Sequence, residues 1–214
     1  LIPHMMGPVY TSRITQPPVL AFGIGELLNM SPDPDYLRAA FPKLERYLEW
    51  IMRNRDSDGL GLVEWNIEVS PTCRSGESGM DNSPRFDSAT ELDAPDFNAF
   101  LSLECEYMAR FAHELGLTER ETCWNARHER LNQQINRLLW NEEAGIYMDR
   151  DVRTGKQTGI AASSGFLPLI CGAPSPEQAA ALLANLNDPA AFATPFRIPS
   201  ISRACKAAYR KDMW

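Results

Sequence analysis

Residues 74–87 have the sequence Arg74-Ser-Gly-Glu-Ser-Gly-Met-Asp-Asn-Ser-Pro-Arg-Phe-Asp87, a composition that is unusual for any regular element. Glu77, Asp81 and Asp87 stand close to two arginines, while glycine and proline interrupt any helix or strand period. A buried helix or strand would not tolerate so many charges. Two interpretations follow: a loop that holds a polar ligand and uses one carboxylate for acid–base chemistry, or a surface loop closed by salt bridges.

The composition is that of an ordinary globular protein. The chain has 214 residues, 44% hydrophobic and 23% charged, so it can bury a sizeable core as one domain or as part of a larger one. A net charge of −7 without a basic run argues against nucleic acid as a partner. No stretch reaches the roughly 18 apolar residues of a membrane span. The five cysteines lack a C-x-x-C pair, which argues against a zinc site and a disulfide framework.

Both ends of the sequence are abrupt. Leu1-Ile-Pro-His4 has no initiator methionine, and no charged segment followed by an apolar one, so we expect no signal peptide and favour a cytoplasmic location. The sequence stops at Met213-Trp214 without a polar tail. We therefore expect residues 1–214 to be a piece of a longer protein.

Apolar periodicity predicts an all-α fold of long helical hairpins. Residues 35–55 show a clear 3.6-residue period. Pro17 or Pro18 is expected to start the first helix, and Thr118 with Glu121 predicts a capping box. Residues 66–92 show no period, and ordered loops of that length are usually functional. The predicted helices cover residues 19–30, 35–55, 94–115, 118–140 and 174–186.

An acidic turn follows the second predicted helix. Asp56-Ser-Asp58 resembles the start of a calcium loop, but Leu60 and Ile67 stand where the fifth and twelfth positions need oxygen ligands. An EF-hand is therefore rejected, and a tight turn that closes the helix is favoured. A metal on Asp56 and Asp58 is the weaker alternative, and no other cofactor is expected.

Five segments of the sequence match the characteristic motifs of a single protein family, and they occur in the same order as in that family. They are Gln16-Pro-Pro-Val-Leu-Ala21, Asp58-Gly-Leu-Gly-Leu-Val-Glu-Trp65, Glu77-Ser-Gly-Met-Asp-Asn-Ser-Pro-Arg85, Asp96-Phe-Asn-Ala-Phe-Leu101 and Trp140-Asn-Glu-Glu-Ala-Gly-Ile-Tyr147. Together they resemble the inverting α-glycosidases of glycoside hydrolase family 63, which are related to the family 37 trehalases. The resemblance implies part of an (α/α)6 barrel, with long loops at one end that build a sugar pocket. Residues 1–214 would then be a partial catalytic domain that lacks N-terminal and C-terminal parts.

The same resemblance implies roles for individual residues. Asp81 matches the family's general acid, which must still carry its proton near the working pH. Glu77 is a candidate substrate-binding residue; it could also help to keep that proton in place by repulsion, or it could pair with Arg74 or Arg85. Arg85 would contact substrate hydroxyls or a carboxylate. Gln16 would face the sugar pocket, unless it only caps a helix.

Two further segments carry expectations of the same kind. Trp65 with Glu64 would form a sugar platform and a hydroxyl acceptor, and a core tryptophan is the alternative. Asp96 and Asn98 are expected to anchor a loop to its helix rather than touch a ligand.

An inverting glycosidase needs a second catalytic carboxylate, the general base, and no residue of this sequence matches it. Such hydrolysis needs a base roughly 6.5–9.5 Å from the acid, and in the family this base is a glutamate far downstream. We therefore expect the base beyond residue 214 and little activity from this chain alone. Glu64, Glu77 and Asp87 are candidates by proximity only.

Three functional hypotheses remain open on the sequence. The first is an inverting exo-α-glycosidase that acts on short α-glucosides or on glucosyl- or mannosyl-glycerate, with trehalose as the rival substrate within the family. The second is a non-catalytic carbohydrate-binding fragment, and the third is a helical scaffold without a sugar site. The expected partners are a small saccharide or glycoside, and a second copy or missing chain segments that complete the barrel.

Overall fold

The computed structural model describes residues 1–66, 74–87, 89 and 91–209, and helices dominate it. A 3₁₀ helix, Ser163–Cys171, lies between the last two α-helices of this part. No helix within the described ranges is both long and apolar enough to cross a membrane. The predicted all-α class is confirmed. The α-helices are α1 (Leu20–Met30), α2 (Pro34–Asn54), α3 (Pro95–Glu114), α4 (Thr118–Leu139) and α5 (Pro176–Asn187).

Helices α1 and α3 lie side by side and run in the same direction. Near the start of α1 the backbone N–H of Ala21 donates to the Glu104 carboxylate at 2.7 Å. One turn later Glu26 accepts from the Tyr107 hydroxyl at 3.0 Å. Gly25 faces the same tyrosine ring, and a side chain there would collide with it, so the glycine allows the two helices to approach closely.

Helices α2 and α4 form a second pair with a shared direction. Arg120 contacts Glu45 at 3.4 Å, and Arg127 contacts Glu49 at 3.5 Å, so contacts advance together along both helices. Helix α3 buries 14 of its 20 residues, whereas α4 buries 4 of its 22. By burial α3 is an inner helix and α4 an outer one, and the contacts described above place α1 in the layer of α3 and α2 in the layer of α4.

The start of α1 and the cap of α4 differ from the predictions, although α4 itself begins at Thr118 as predicted. Helix α1 begins at Leu20 and not at the prolines, because Glu104 of α3 accepts the N–H groups of Ala21 and Phe22 that a local cap would otherwise satisfy. The capping box predicted at Thr118 does not form, and Leu117 is the N-cap residue of α4 without a side-chain hydrogen bond. Its intended partner, Glu121, contacts the His113 ring instead, at 3.2 Å.

Short strands tie the loops together. Strands β1 (Glu64–Asn66), β2 (Glu91–Asp93) and β5 (Arg150–Asp151) form an antiparallel sheet with β2 in the centre. Strands β3 (Trp140–Asn141) and β4 (Ile146–Tyr147) form a separate hairpin.

The loops that precede the inner helices meet at one end of the layers. The backbone N–H of Thr15, before α1, donates to Glu77 in the loop before α3 at 3.0 Å. Arg85 of that second loop donates to Asp149, in the loop before the 3₁₀ helix, at 2.7 Å. The long loops that connect the helical hairpins therefore meet at one end of the layers, as the sequence predicts.

Candidate active site

Asp81 lies in a turn that the loop closes on itself. Its backbone carbonyl accepts from the N–H of Arg74 at 2.6 Å and of Ser75 at 2.8 Å, and the Ser83 N–H donates to Met80 at 2.8 Å. The side chain is half-buried, and no described residue forms a hydrogen bond or ion pair with its carboxylate. Hydrogen bonds thus fix the backbone of Asp81, while its carboxylate receives none from the described residues.

Glu77 is a buried anchor and not a free carboxylate. It is 1% exposed and forms an ion pair with Arg55, whose Nη1 lies 2.8 Å from Oε2 and whose Nη2 contacts Oε1. The N–H groups of Thr15 and Asn66 donate to the remaining acceptor positions at 3.0 and 3.4 Å. A carboxylate offers about four such positions. The alternative in which Glu77 pairs with Arg74 or Arg85 is wrong, and its expected contact with substrate has no support in this geometry, because Arg55 at the end of α2 already neutralises it.

Arg85 is fully buried, and all five of its N–H donors have partners. Nε and Nη2 donate to Asp149 at 2.7 and 2.6 Å, while Nη1 and Nη2 donate to Asp96 at 2.7 and 3.2 Å. The last Nη1 hydrogen lies toward Met80 Sδ at 3.3 Å. Because a guanidinium has five N–H donors, Arg85 has none left for a sugar hydroxyl or a carboxylate. The expected substrate contact is corrected to a structural one.

The two aspartates that hold Arg85 differ in their surroundings. For Asp96, burial opposes ionisation, but the charge and hydrogen bonds of Arg85 outweigh it and lower the pKa. The indole of Trp65 and the N–H of Phe97 also donate to this carboxylate. For Asp149, burial outweighs the attraction of Arg85 and raises the pKa, and the nearby Asp96 charge adds to the effect.

Trp65 lies in the core. It is 0% exposed, stacks on Phe97 at a centroid distance of 3.9 Å, and donates from Nε1 to Asp96 at 2.9 Å. No face is available for a pyranose, so the structure favours the alternative of a core tryptophan. Asn98 bonds in both directions with the backbone of Val63, which confirms the expectation that it anchors a loop to α3.

Glu64 is also buried, and it takes part in an acidic cluster. Its Oε1 accepts from the backbone N–H of Ser57 at 2.8 Å and from the hydroxyl at 2.9 Å. Burial raises the pKa of Glu64, and the two bonds from Ser57 lower it again. These contacts close the turn after α2, so a substrate-hydroxyl role has no support in this geometry.

The same cluster bears on the metal alternative. Asp56, Asp58 and Glu64 each have an oxygen within 4.8 Å of the others, so these three residues could hold a cation. Arg150 already lies beside them and contacts Asp58 at 3.0 Å and Asp93 at 2.6 Å. A cation there would therefore compete with an arginine, and the metal stays an alternative.

Gln16 has a fixed orientation. Its Nε2 donates to the His4 carbonyl at 3.1 Å and contacts His4 Nδ1 at 3.0 Å, and the Tyr47 hydroxyl donates to its backbone carbonyl at 3.3 Å. Within the described residues, no donor reaches its Oε1. Since the adjacent Thr15 bonds Glu77, Gln16 lies next to the loop of Asp81 and presents an acceptor.

Several buried polar atoms of this loop have no partner among the described residues. They are Nε of Arg74, Oγ of Ser75 and Oδ1 of Asn82. Unsatisfied buried groups are rare in proteins and commonly mark a place for water or a ligand. Ser75 and Asn82 are not in the predicted site set, and only their nearness to Asp81 in the sequence could have indicated them.

A cavity of about 430 Å³ lies at the opposite end of the inner layer, where Leu28, Pro34 and Phe111 line it. The candidate site is defined by the loops and their polar groups.

Comparison with known proteins gives a consistent result. A family model described as the mannosylglycerate hydrolase MGH1-like glycoside hydrolase domain matches residues 1–214. Mannosylglycerate hydrolase MGH1 of Selaginella moellendorffii is 28% identical over an alignment of 250 residues, which covers 88% of this chain and 50% of the relative. The chain spans about half the length of the curated relatives that it matches.

Crystal structures of the GH63 mannosylglycerate hydrolase from Thermus thermophilus share the fold. The complex with glucose has a TM-score of 0.72 and 27% identity, covering 86% of this chain and 54% of that one. The complex with Tris and D-glycerate has a TM-score of 0.74 and 24% identity, covering 92% and 62%. The expected resemblance to family 63 and its helical barrel is confirmed.

A relation to trehalases is also present, but it is shorter. The cytosolic neutral trehalase of Neurospora crassa is 38% identical over 65 residues, which cover 30% of this chain and 9% of the trehalase.

Proposed function

Because the chain belongs to the mannosylglycerate hydrolase MGH1-like family of glycoside hydrolases, we propose that it is the acid-bearing part of an inverting, exo-acting glycosidase. The proposed substrate is mannosyl- or glucosyl-glycerate, with short α-glucosides as related substrates. The main support is the carboxylate of Asp81, which is half-buried and has no partner among the described residues. In the same loop the buried charges of Glu77 and Arg85 are held in ion pairs. Trehalose is the rival substrate, and the short trehalase match makes it the weaker one.

In the proposed reaction Asp81 supplies the proton of bond cleavage. The oxygen of the leaving glycerate takes this proton as the bond from the anomeric carbon to that oxygen breaks. A water molecule attacks the anomeric carbon from the opposite face, and a second carboxylate takes a proton from that water. We place this second carboxylate beyond residue 214. The products are the free sugar, with inverted anomeric configuration, and glycerate.

The polar groups around Asp81 support recognition of such a substrate. Gln16 Oε1 can accept from a sugar hydroxyl, while the buried and unpartnered Oγ of Ser75 and Oδ1 of Asn82 can bond ordered water. The glycerate carboxylate needs a cation. Arg74 is suited to that role, because its side chain is 31% exposed and its Nη1 lies 4.0 Å from the exposed Asp87, a weak contact.

The experiment compares the full-length protein with its Asp81→Asn variant. Both are incubated with mannosylglycerate, glucosylglycerate, trehalose and simple α-glucosides, and sugar release is measured. The expected loss for Asp81→Asn is about 10²- to 10⁴-fold in kcat. Proton NMR of the first product formed should show the inverted anomer.

Asp35→Asn is the matched control, because Asp35 lies at the start of α2 with its side chain 95% exposed. Equal activity of wild type and Asp81→Asn would remove Asp81 as the acid. Preferred turnover of trehalose would favour the rival substrate. No turnover, together with glycerate binding in calorimetry, would indicate a carbohydrate-binding fragment, and no binding at all would indicate a scaffold.

A further inference from the structure

The turn of Asp81 is held between two buried ionic anchors. Glu77 lies four residues before Asp81, and Arg85 lies four residues after it. Glu77 connects the loop to Arg55 at the end of α2, and Arg85 connects it to the first turn of α3 and to the segment after β4. The position of the carboxylate between them depends on both connections.

Arg85 reaches the turn of Asp81 directly. Its Nη1 lies 3.3 Å from the sulfur of Met80, the residue that precedes Asp81. The Ser83 N–H donates to the carbonyl of the same methionine, so the turn follows Met80. Any shift of the guanidinium is therefore transmitted to the residue next to the proposed acid.

Asp149 differs from the other groups of this cluster because its carboxylate bonds only Arg85 in the described part of the chain. Asp96 has independent support from Trp65 and the backbone of Phe97. Asp149 is 1% exposed and accepts from Nε and Nη2 of Arg85, 64 residues away in sequence. Burying such a charge is costly, and apolar side chains of similar volume often stabilise a core equally well. A buried carboxylate that bonds one guanidinium is better explained by a role in orienting that guanidinium than by a contribution to the stability of the fold.

We propose that Asp149 is a positioning residue for the general acid, acting through Arg85 and Met80 on the turn that carries Asp81. This inference rests on the proposed glycosidase function and adds a residue from a different loop to it. Asp96 holds one edge of the guanidinium, and Asp149 holds the edge with Nε and so fixes its rotation. Without Asp149 the guanidinium of Arg85 stays buried, but its orientation is no longer fixed. The carboxyl group of Asp81 then moves away from the leaving oxygen.

The test uses leaving groups with different needs for a proton. Glycerate leaves as an alcohol and needs the proton of the acid, whereas the fluoride of α-mannosyl fluoride leaves with the bonding electron pair and needs none. Water attack and its base are the same for both substrates. In the full-length protein, Asp149→Asn should lower kcat for mannosylglycerate by about 10²-fold, the effect of a displacement of roughly 1 Å in a reacting group. Turnover of α-mannosyl fluoride should change by less than about threefold, since no proton donor is involved.

Two further variants frame the result. Asp81→Asn should show the same pattern with a loss as large or larger. Asp151→Asn, at the end of β5 where its Oδ1 accepts from the N–H of Thr154, should leave the turnover of both substrates unchanged.

Each outcome decides a different point. Equal losses on both substrates, or no loss on either, would overturn the positioning role of Asp149. Full activity of Asp81→Asn on mannosylglycerate would overturn the proposed function itself, independently of Asp149. If Asp149→Asn does not fold, Arg85→Lys carries the test, because lysine keeps the charge but cannot bond both aspartates bidentately. It should show the same dependence on the leaving group, and equal losses on both substrates would again contradict the proposal.

Discussion

Replacing Glu77 by glutamine tests the first anchor of the acid loop. Glutamine keeps one carbonyl oxygen but brings an NH₂ group to the position where Oε2 now accepts from Arg55 and from the Asn66 N–H. The side chain of Arg55 is 5% exposed, and its guanidinium would lose the ion pair and keep one hydrogen-bond acceptor without gaining water. Breaking a buried ion pair by changing one partner costs roughly 3–5 kcal/mol. We expect a loss of that size in the free energy of unfolding.

Urea denaturation of the full-length protein, followed by circular dichroism, measures this loss. Because both groups are almost fully buried, the ion pair is hardly screened, and the loss should persist at high salt. The double variant Arg55→Met with Glu77→Leu should cost less than Glu77→Gln alone, since it leaves no unpaired charge. A cost below about 1 kcal/mol, accompanied by a changed KM, would refute the anchor role and restore Glu77 as a ligand-facing carboxylate.

Three other changes give independent predictions. Trp65→Phe should cost about 1–3 kcal/mol in thermal denaturation, because the Asp96 carboxylate loses a buried donor, and KM should not change; a raised KM at unchanged Tm would favour a sugar platform. Burial raises the pKa of Asp93 to about 7, above its unfolded value of 3.8, so its contribution to stability falls as pH rises between about 4 and 7. In urea titrations Asp93→Asn should therefore reduce the dependence of the unfolding free energy on pH in this range, and an unchanged dependence would contradict the assignment. Gln16→Glu should raise KM for the glycoside about tenfold, because a carboxylate cannot donate to the His4 carbonyl and its oxygens would be reoriented; an unchanged KM would place Gln16 outside the pocket.

Local sequence patterns correctly predicted the secondary-structure elements that are determined by neighbouring residues. Helix α2 (Pro34–Asn54) has a regular apolar stripe and a capping aspartate, Asp33, so its limits agree with the predicted residues 35–55 to within one residue. The start of α1 depends on Glu104, which is 83 residues away from Ala21 in sequence. A contact of that range has no periodicity or spacing that a single sequence could display.

The candidate site shows the same division. Motif order located the loop of Asp81, because the residue types and their spacing are specific even without coordinates. Motif identity did not indicate which side chains are exposed. Arg85 and Trp65 have the right chemistry for a sugar, but Asp149 and Asp96 occupy the guanidinium and Phe97 covers the indole. Such commitments come from residues brought together by the fold and therefore need the structure.

The shared direction of α1 and α3 has a consequence for the electrostatics of the loop end. Each helix has the equivalent of about half a positive charge at its N-terminus, and both N-termini lie on the side of the loops. Glu104 accepts the first N–H groups of α1, and Asp96, in the first turn of α3, accepts that of Phe97. Peptide dipoles thus compensate part of these buried negative charges in place of mobile counterions. Dissolved salt screens such buried interactions little, so the loop anchors should keep their geometry at ionic strengths that weaken the exposed pair of Arg38 and Asp35.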